Sequence, residues 1–343
     1  MAVRSSRSIA RLFTIGAAAR TAILLTLLVA DPGKLIAAPD PALISLQDLD
    51  RRLATIAFRL ATWNTELCAQ QQNWSGLVVH DLNQYAPAFR PAIADAYGLK
   101  AGYPGILAIV PDSPAADAGI SEGELVSAIN GHLMAPYPVT KNAAYTSIDA
   151  FLSRLETALK DAPVQLTIGS REVTREVVVR GVPGCMSRVE LLPGSRLTAA
   201  ADGNVVQVSG GLVEFTRNDD ELAIIVAHEL AHNILRHHEA LSSNDSTGSP
   251  FASLGHHVAL ERKTERDADY LGLYLAARAG YDIAAALTFW PRFGRRGIWG
   301  ILHSPTHPGW SARRDMAIMT MREITALKQA GLPLLPNLKQ LGN

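Results

Sequence analysis

The chain has 343 residues, 32 Lys+Arg against 32 Asp+Glu for a formal net charge of zero, and 48% hydrophobic residues. That size and apolar content suit a globular protein of about two domains. The balanced charge, with no long basic run anywhere, argues against a general nucleic-acid binder.

The first thirty residues carry Arg4, Arg7, Arg11 and Arg20 but no acid, and an apolar run from Thr21 to Ala30 stops at Asp31, Pro32, Gly33 and Lys34. A basic start followed by a short apolar core reads as a secretory signal, too short for an ordinary spanning helix. Residues 1–38 are therefore expected to be a signal peptide with small residues Ala37 and Ala38 near the cleavage point, or an uncleaved membrane anchor. The absence of a cysteine near residue 38 argues against a lipid anchor. The expected location is the periplasm or cell envelope, with membrane association through the N-terminus as an option.

Residues 39–73 read as one amphipathic helix, because Leu46, Leu49, Leu53, Ile56, Leu60, Trp63 and Leu67 recur at alternating spacings of three and four. Arg51, Arg52, Arg59 and Glu66 lie off that seam. So short a seam is expected to pack on its own protein, with a dimeric coiled coil as the other reading.

From residue 74 to 183 the pattern changes to short strands. Leu77–His80, Gly105–Val110, Glu124–Ile129, Val164–Ile168 and Glu176–Arg180 read as strands. Two helices interrupt them, at Ala115–Ala118 and Ser147–Asp161, and together they suggest a small, partly open barrel. The string GILAIVPDSPAADAGISEGELVSAINGHLM, Gly105 to Met134, resembles a bacterial PDZ domain, although Gly123-Glu124 stands where Gly-Asp is usual. The resemblance implies a peptide-binding groove whose sheet edge is Tyr103, Gly105, Ile106 and Leu107, with Ser147–Asp161 as the opposite wall. Peptide would add there as an extra strand.

Cys68 and Cys185 are the only two cysteines, and neither lies in a C-x-x-C pair or beside the histidine motif described next, so they are excluded as metal ligands. In an oxidising compartment they either form a disulfide or remain buried thiols, and both readings stand.

Val205–Ser209 reads as a strand turning into a helix near Leu212. The stretch DELAIIVAHELAHNILRHH then places His228, Glu229 and His232 at H-E-x-x-H spacing. On a helix the two histidines differ by about 40° in angle and about 6 Å in height, so both reach one ion. Glu229 projects from the adjoining angle, where a carboxylate can take a proton from water. The helix is apolar nearly all round, as a buried one should be, and Asn218 with Glu221 resembles a capped start. His237, His238, His256 and His257 fall outside the motif spacing and read as surface or loop histidines. Ser242–Pro250 reads as a polar loop, either a lid or an ordinary connector.

A zinc hydrolase needs a third protein ligand and leaves one position for water. The helical stretch Val258–Ala279 offers Glu265, with Asp269 one turn along the same face, among rivals Glu261, Arg262, Lys263, Arg266 and Asp267. Gly272 would let this helix approach the histidine helix closely. HELAH, then ERDADYLG at Glu265–Gly272, then Ala279-Gly280-Tyr281-Asp282, then SPTHPGWSAR at Ser304–Arg313 together resemble a zinc metallopeptidase family. Its members include HtpX, the CAAX prenyl endopeptidase and BepA.

The resemblance implies His228, His232 and Glu265 as ligands of one Zn2+ per chain, and Glu229 as general base. It also implies Asp269 as the carboxylate behind a ligand histidine, with His307 approaching the site and Arg313 following it. The fold class expected is α+β. A mainly helical zinc-peptidase domain at 184–343, with a small β-sheet, would follow a PDZ-like β-barrel domain at 74–183 and the N-terminal helix. The expected function is an exported zinc endopeptidase acting on unfolded or envelope polypeptides in quality control. The alternative is a PDZ-type peptide-binding chaperone or adaptor whose zinc site is latched or structural.

Overall fold

The computed structural model describes residues 41–170, 173–243, 250–295 and 310–337, so the signal-like segment and its cleavage point lie outside the described residues. The first element, α1 (Pro41–Trp63), buries Leu53, Ile56 and Leu60 in the main core. Its stripe is thus consumed within the chain, which removes the coiled-coil reading. The helix stops at Trp63, which is exposed, rather than running to Leu67. Asn64 ends it, fully buried and donating its side-chain amide to the carbonyls of Leu60 and Leu275.

Next comes β1 (Gln71–Trp74), then the middle unit: β2 (Leu77–His80), α2 (Arg90–Tyr97), β3 (Gly105–Ile109), α3 (Pro114–Asp117), β4 (Leu125–Ile129), β5 (His132–Leu133), α4 (Thr146–Leu159), β6 (Val164–Gly169) and β7 (Thr174–Val179). The strands form one antiparallel sheet in the order β2-β3-β4-β6-β7, with β5 paired to β4. Asn130 and Gly131, at φ +50° and +74°, supply the left-handed pair that a two-residue hairpin between β4 and β5 requires. Ile148, Phe151, Leu155 and Leu159 of α4 pack on Val126, Ile129, Leu166 and Ile168 of the sheet.

Two sequence expectations need correcting here. A third helix, α2, is present, started near Pro91 and ended by Gly98 in the left-handed conformation. The strand carrying Gly105, Ile106 and Leu107 is not a sheet edge, because β2 pairs on one side of it and β4 on the other. The edges are β2 and β7.

The middle unit is closed at its neck. β8 (Val182–Cys185) returns antiparallel to β1, pairing Gln71 with Cys185 and Trp74 with Val182, and Cys68 and Cys185 are joined in a disulfide. The two free thiols of the other reading are therefore absent.

The second half adds β9 (Arg188–Leu192), β10 (Ala199–Ala201), β11 (Val205–Ser209), α5 (Gly210–Phe215), α6 (Asp219–Ile234), α7 (His237–Ser243), α8 (Pro250–Arg278), α9 (Ala285–Gly294) and α10 (Trp310–Gln329). Its small sheet runs β10-β11-β9, with β11 parallel to β9. Of the expected loop Ser242–Pro250, Ser242 and Ser243 belong to α7 and Pro250 begins α8, while residues 244–249 lie outside the described residues. Leu222, Ile225, Val226 and Leu230 of α6 lie in one core with α1, the small sheet, α8 and α9. The architecture is mixed α and β, and among the described residues no helix is long and apolar enough to cross a membrane.

Candidate metal centre

Helix α6 starts on Asn218, whose side chain accepts a hydrogen bond from the Glu221 backbone at 3.0 Å. Asp219, Asp220 and Glu221 then fill its first turn, where the helix dipole favours acids. Glu221 is itself buried and paired with Arg292 of α9, which stacks on Phe215. These contacts fix the register of α6, and with it the direction in which His228 and His232 point.

Helix α8 crosses α6 at Gly272, where an added Cβ would lie 3.0 Å from the backbone nitrogen of His228. That approach brings Glu265 to both histidines. Its Oε2 is 3.4 Å from His228 Nε2 and its Oε1 is 3.3 Å from His232 Nε2, while the two Nε2 atoms are 3.2 Å apart. The three residues each offer one donor atom, all within 4.8 Å of one another, the arrangement a single divalent cation requires. Imidazole nitrogens with a carboxylate oxygen suit zinc. Glu229 is buried beside them, whereas His232 keeps 15% of its side chain exposed and so marks the open side.

Behind His228 lies a buried charged layer. Its Nδ1 is 3.0 Å from Asp269 Oδ1, and Arg313 of α10 donates from Nε to Asp269 Oδ1 at 3.1 Å and Oδ2 at 3.0 Å. Arg313 Nη2 also lies 3.1 Å from the same Nδ1, but a proton on Nδ1 directed at Asp269 is what leaves Nε2 free to bind a cation. The guanidinium sits over Trp290, its carbon 3.6 Å from the ring centroid. Burial raises the proton affinity of Asp269, but Arg313 and His228 outweigh it and hold the carboxyl below its ordinary range. Burial and Arg313 push His228 down, yet the hydrogen bonds to Asp269 and Glu265 prevail and raise it to about 9. The cluster attracts positive charge, which fits a cation site.

His237, expected from its spacing to be a surface or loop histidine, is buried. Arg236 adopts φ +55° at the end of α6 and turns the chain back, so that His237 opens α7 buried against the site, with its Nδ1 3.0 Å from His232 Nδ1. Burial and the neighbouring His232 push it down to about 3, so it stays neutral. His238 is exposed. The side chains of His256 and His257 lie outside the described residues, as does His307. Trp290 was also missed, since only the third dimension brings it onto Arg313.

A cavity of about 170 Å³ lies away from the histidines, between β2, α4, α1 and β9. Val78 and Val79 of the β2 edge, Leu152 and Leu155 of α4, and Ala57 and Phe58 of α1 line it. Tyr103 and Gly105 are not among its lining, although Leu107 is.

The histidine pair, the acid from a second helix and the buried charged layer form a site suited to a single zinc ion, and Peptidase family M48 matches residues 197–249. Among curated proteins the chain is similar to the mitochondrial metalloendopeptidase OMA1 of Schizosaccharomyces pombe, 30% identical over 167 residues, covering 42% of this chain and 49% of that one. It is likewise similar to OMA1 of Arabidopsis thaliana, 29% identical over 150 residues, covering 36% of this chain and 31% of the relative. OMA1 of Saccharomyces cerevisiae is 25% identical over 191 residues, covering 48% of this chain and 51% of the relative. The chain thus spans about half or less of the length of these relatives. A solved structure, the HtrA3 PDZ domain bound to a phage-derived ligand, aligns with 33% of this chain and 89% of that one. Its TM-score is 0.25 at 13% identity, too low to carry an argument.

Proposed function

We propose that this chain is a zinc-dependent endopeptidase, with His228, His232 and Glu265 holding one zinc ion and Glu229 as general base. The observation that carries the reading is the convergence of three donor atoms from two crossing helices within 4.8 Å. The M48 match across the histidine motif supports it. A bound zinc ion supplies Lewis-acid polarisation of the scissile carbonyl and makes a neighbouring water more acidic. Glu229 takes a proton from the attacking water and delivers it to the leaving amine nitrogen. Asp269 accepts the Nδ1 hydrogen of His228 and fixes its ring, while Arg313 holds Asp269 ionised. His307 is proposed, from its motif alone, to stabilise the oxyanion or to close the open coordination position at rest.

The finer kinship with HtpX, the CAAX prenyl endopeptidase and BepA rests on the ordered motifs, and an exported role in envelope quality control rests on the N-terminal residues. The unit at 74–183 is proposed to be PDZ-like and to hold extended polypeptide. Its groove is then β2 facing α4 rather than Tyr103–Leu107, since β2 is an edge strand and, unlike the other edge strand β7, it lines the cavity together with α4. The N-terminal helix shares its core with 184–343 and belongs to the peptidase unit.

Zinc content and casein cleavage by the mature protein and by Glu229→Gln test the reading. The variant should keep its zinc and lose cleavage by roughly 10²- to 10⁴-fold. Cleavage at the wild-type rate would reject Glu229 as the base. A wild type that binds zinc and unfolded casein but leaves it intact would favour the adaptor reading.

A further inference from the structure

His237 stands outside every motif that led to the site, yet it touches a residue of the donor triad. We propose that His237 is a positioning residue for the metal centre: its Nδ1 accepts the Nδ1–H of His232 and so commits His232 to present Nε2 toward His228 and Glu265. The inference rests on the reading of the triad as zinc ligands given above.

The two Nδ1 atoms are 3.0 Å apart with the rings nearly perpendicular, at 80°, so one hydrogen lies between them. A neutral imidazole carries a single N–H. If His237 were the donor, the proton of His232 would sit on Nε2, pointing at His228 Nε2 3.2 Å away and covering the lone pair a cation needs. With His232 as the donor, its Nε2 is bare and lies 3.3 Å from Glu265 Oε1. Only the second arrangement is compatible with a loaded site.

The backbone supports the assignment. Arg236 takes the left-handed conformation that few non-glycine residues adopt, and this turn seats the next residue against α6 instead of letting it run into solvent. His237 is 6% exposed, while its neighbours Arg236 and His238 are exposed. The two ligand histidines are thereby oriented by different chemistry. Asp269 serves His228 with a full negative charge, and His237 serves His232 with a neutral acceptor, so His232 is oriented without adding a further anion to the buried cluster.

Zinc affinity, read by competition with a chromophoric chelator on the full chain, separates the hydrogen bond from the packing. His237→Phe keeps the bulk of the ring and removes the acceptor, whereas His237→Asn places a carbonyl oxygen close to where Nδ1 was. Phe should weaken zinc binding by roughly 10- to 100-fold, and Asn should restore it to within a few-fold of wild type. Thermal unfolding of the metal-free proteins, expected to be similar for both variants, shows that the difference arises at the metal. The proposal is overturned if Phe binds zinc like wild type, or if Asn is as weak as Phe. A wild-type chain that binds no zinc would instead overturn the reading of the triad itself.

Discussion

Arg313 ties together groups that the chain keeps far apart: both oxygens of Asp269 on α8, the ring of His228 on α6 and the face of Trp290 on α9. Replacing it by Ala leaves the Asp269 carboxylate buried without its cation, and breaking a buried pair in this way costs about 3–5 kcal/mol. Arg313→Lys should recover only part of this, because an ammonium can neither fork across two oxygens nor lie flat on an indole. Denaturant unfolding of the metal-free variants measures both effects, and an Ala variant within about 1 kcal/mol of wild type would contradict this role for Arg313. At this scale His228, Glu229 and His232 were legible because their relation is local, set by the pitch of one helix. His237 was not, since a single backbone reversal at Arg236 decides whether its ring meets His232 or water.

The crossing of α6 and α8 is the element-level feature on which the site depends. A methyl group at Gly272 would stand 3.0 Å from the nitrogen and 3.1 Å from the Cα of His228, and backbone atoms cannot swing aside as a side chain can. Gly272→Ala sets a helix-propensity gain of about 1 kcal/mol against an overpacking cost of about 1–3 kcal/mol. The expected outcome is a net loss of about 1 kcal/mol and weaker zinc binding, because Glu265 moves away from the histidines with its helix. Calorimetry and chelator competition would read the two effects, and a variant as stable and as zinc-avid as wild type would show that the crossing has slack. The same scale explains why Gly105–Leu107 is not at the sheet edge. Alternating apolar residues identify Gly105–Ile109 as a strand, but which strand lies at an edge depends on pairing between β2 and β3, which hydropathy does not encode.

Across the whole molecule, the middle unit is an insertion closed at its base by the β1–β8 pair and by the Cys68–Cys185 disulfide, which spans 117 residues. A cross-link over so long a loop stabilises by about 2–4 kcal/mol, chiefly by restricting the unfolded chain. Cys68→Ser with Cys185→Ser should lower the melting temperature by several degrees in oxidising buffer, and reductant should then have no further effect on that variant. Equal melting of wild type and the double variant would mean that the β1–β8 neck alone holds the base. Arg51 on Glu122, Gln47 on the Leu107 carbonyl and Arg188 on Glu156 also join the two units.

The sequence by itself determined the parts whose physics is local: the striped and apolar helices, the alternating strands, and the paired histidines with their neighbouring carboxylate; Glu265 stood out from its rivals through the family resemblance alone. Only the tertiary structure decided which surfaces those parts share. It put α1 in the core of the second half rather than in a dimer, made β2 rather than β3 an edge of the sheet, joined the two cysteines, and turned His237 inward. The reason is the range of the forces involved. Helical and strand periodicity are set by dihedral angles a few residues apart, whereas burial, strand order and hydrogen-bond partners are settled by the packing of segments tens to hundreds of residues apart.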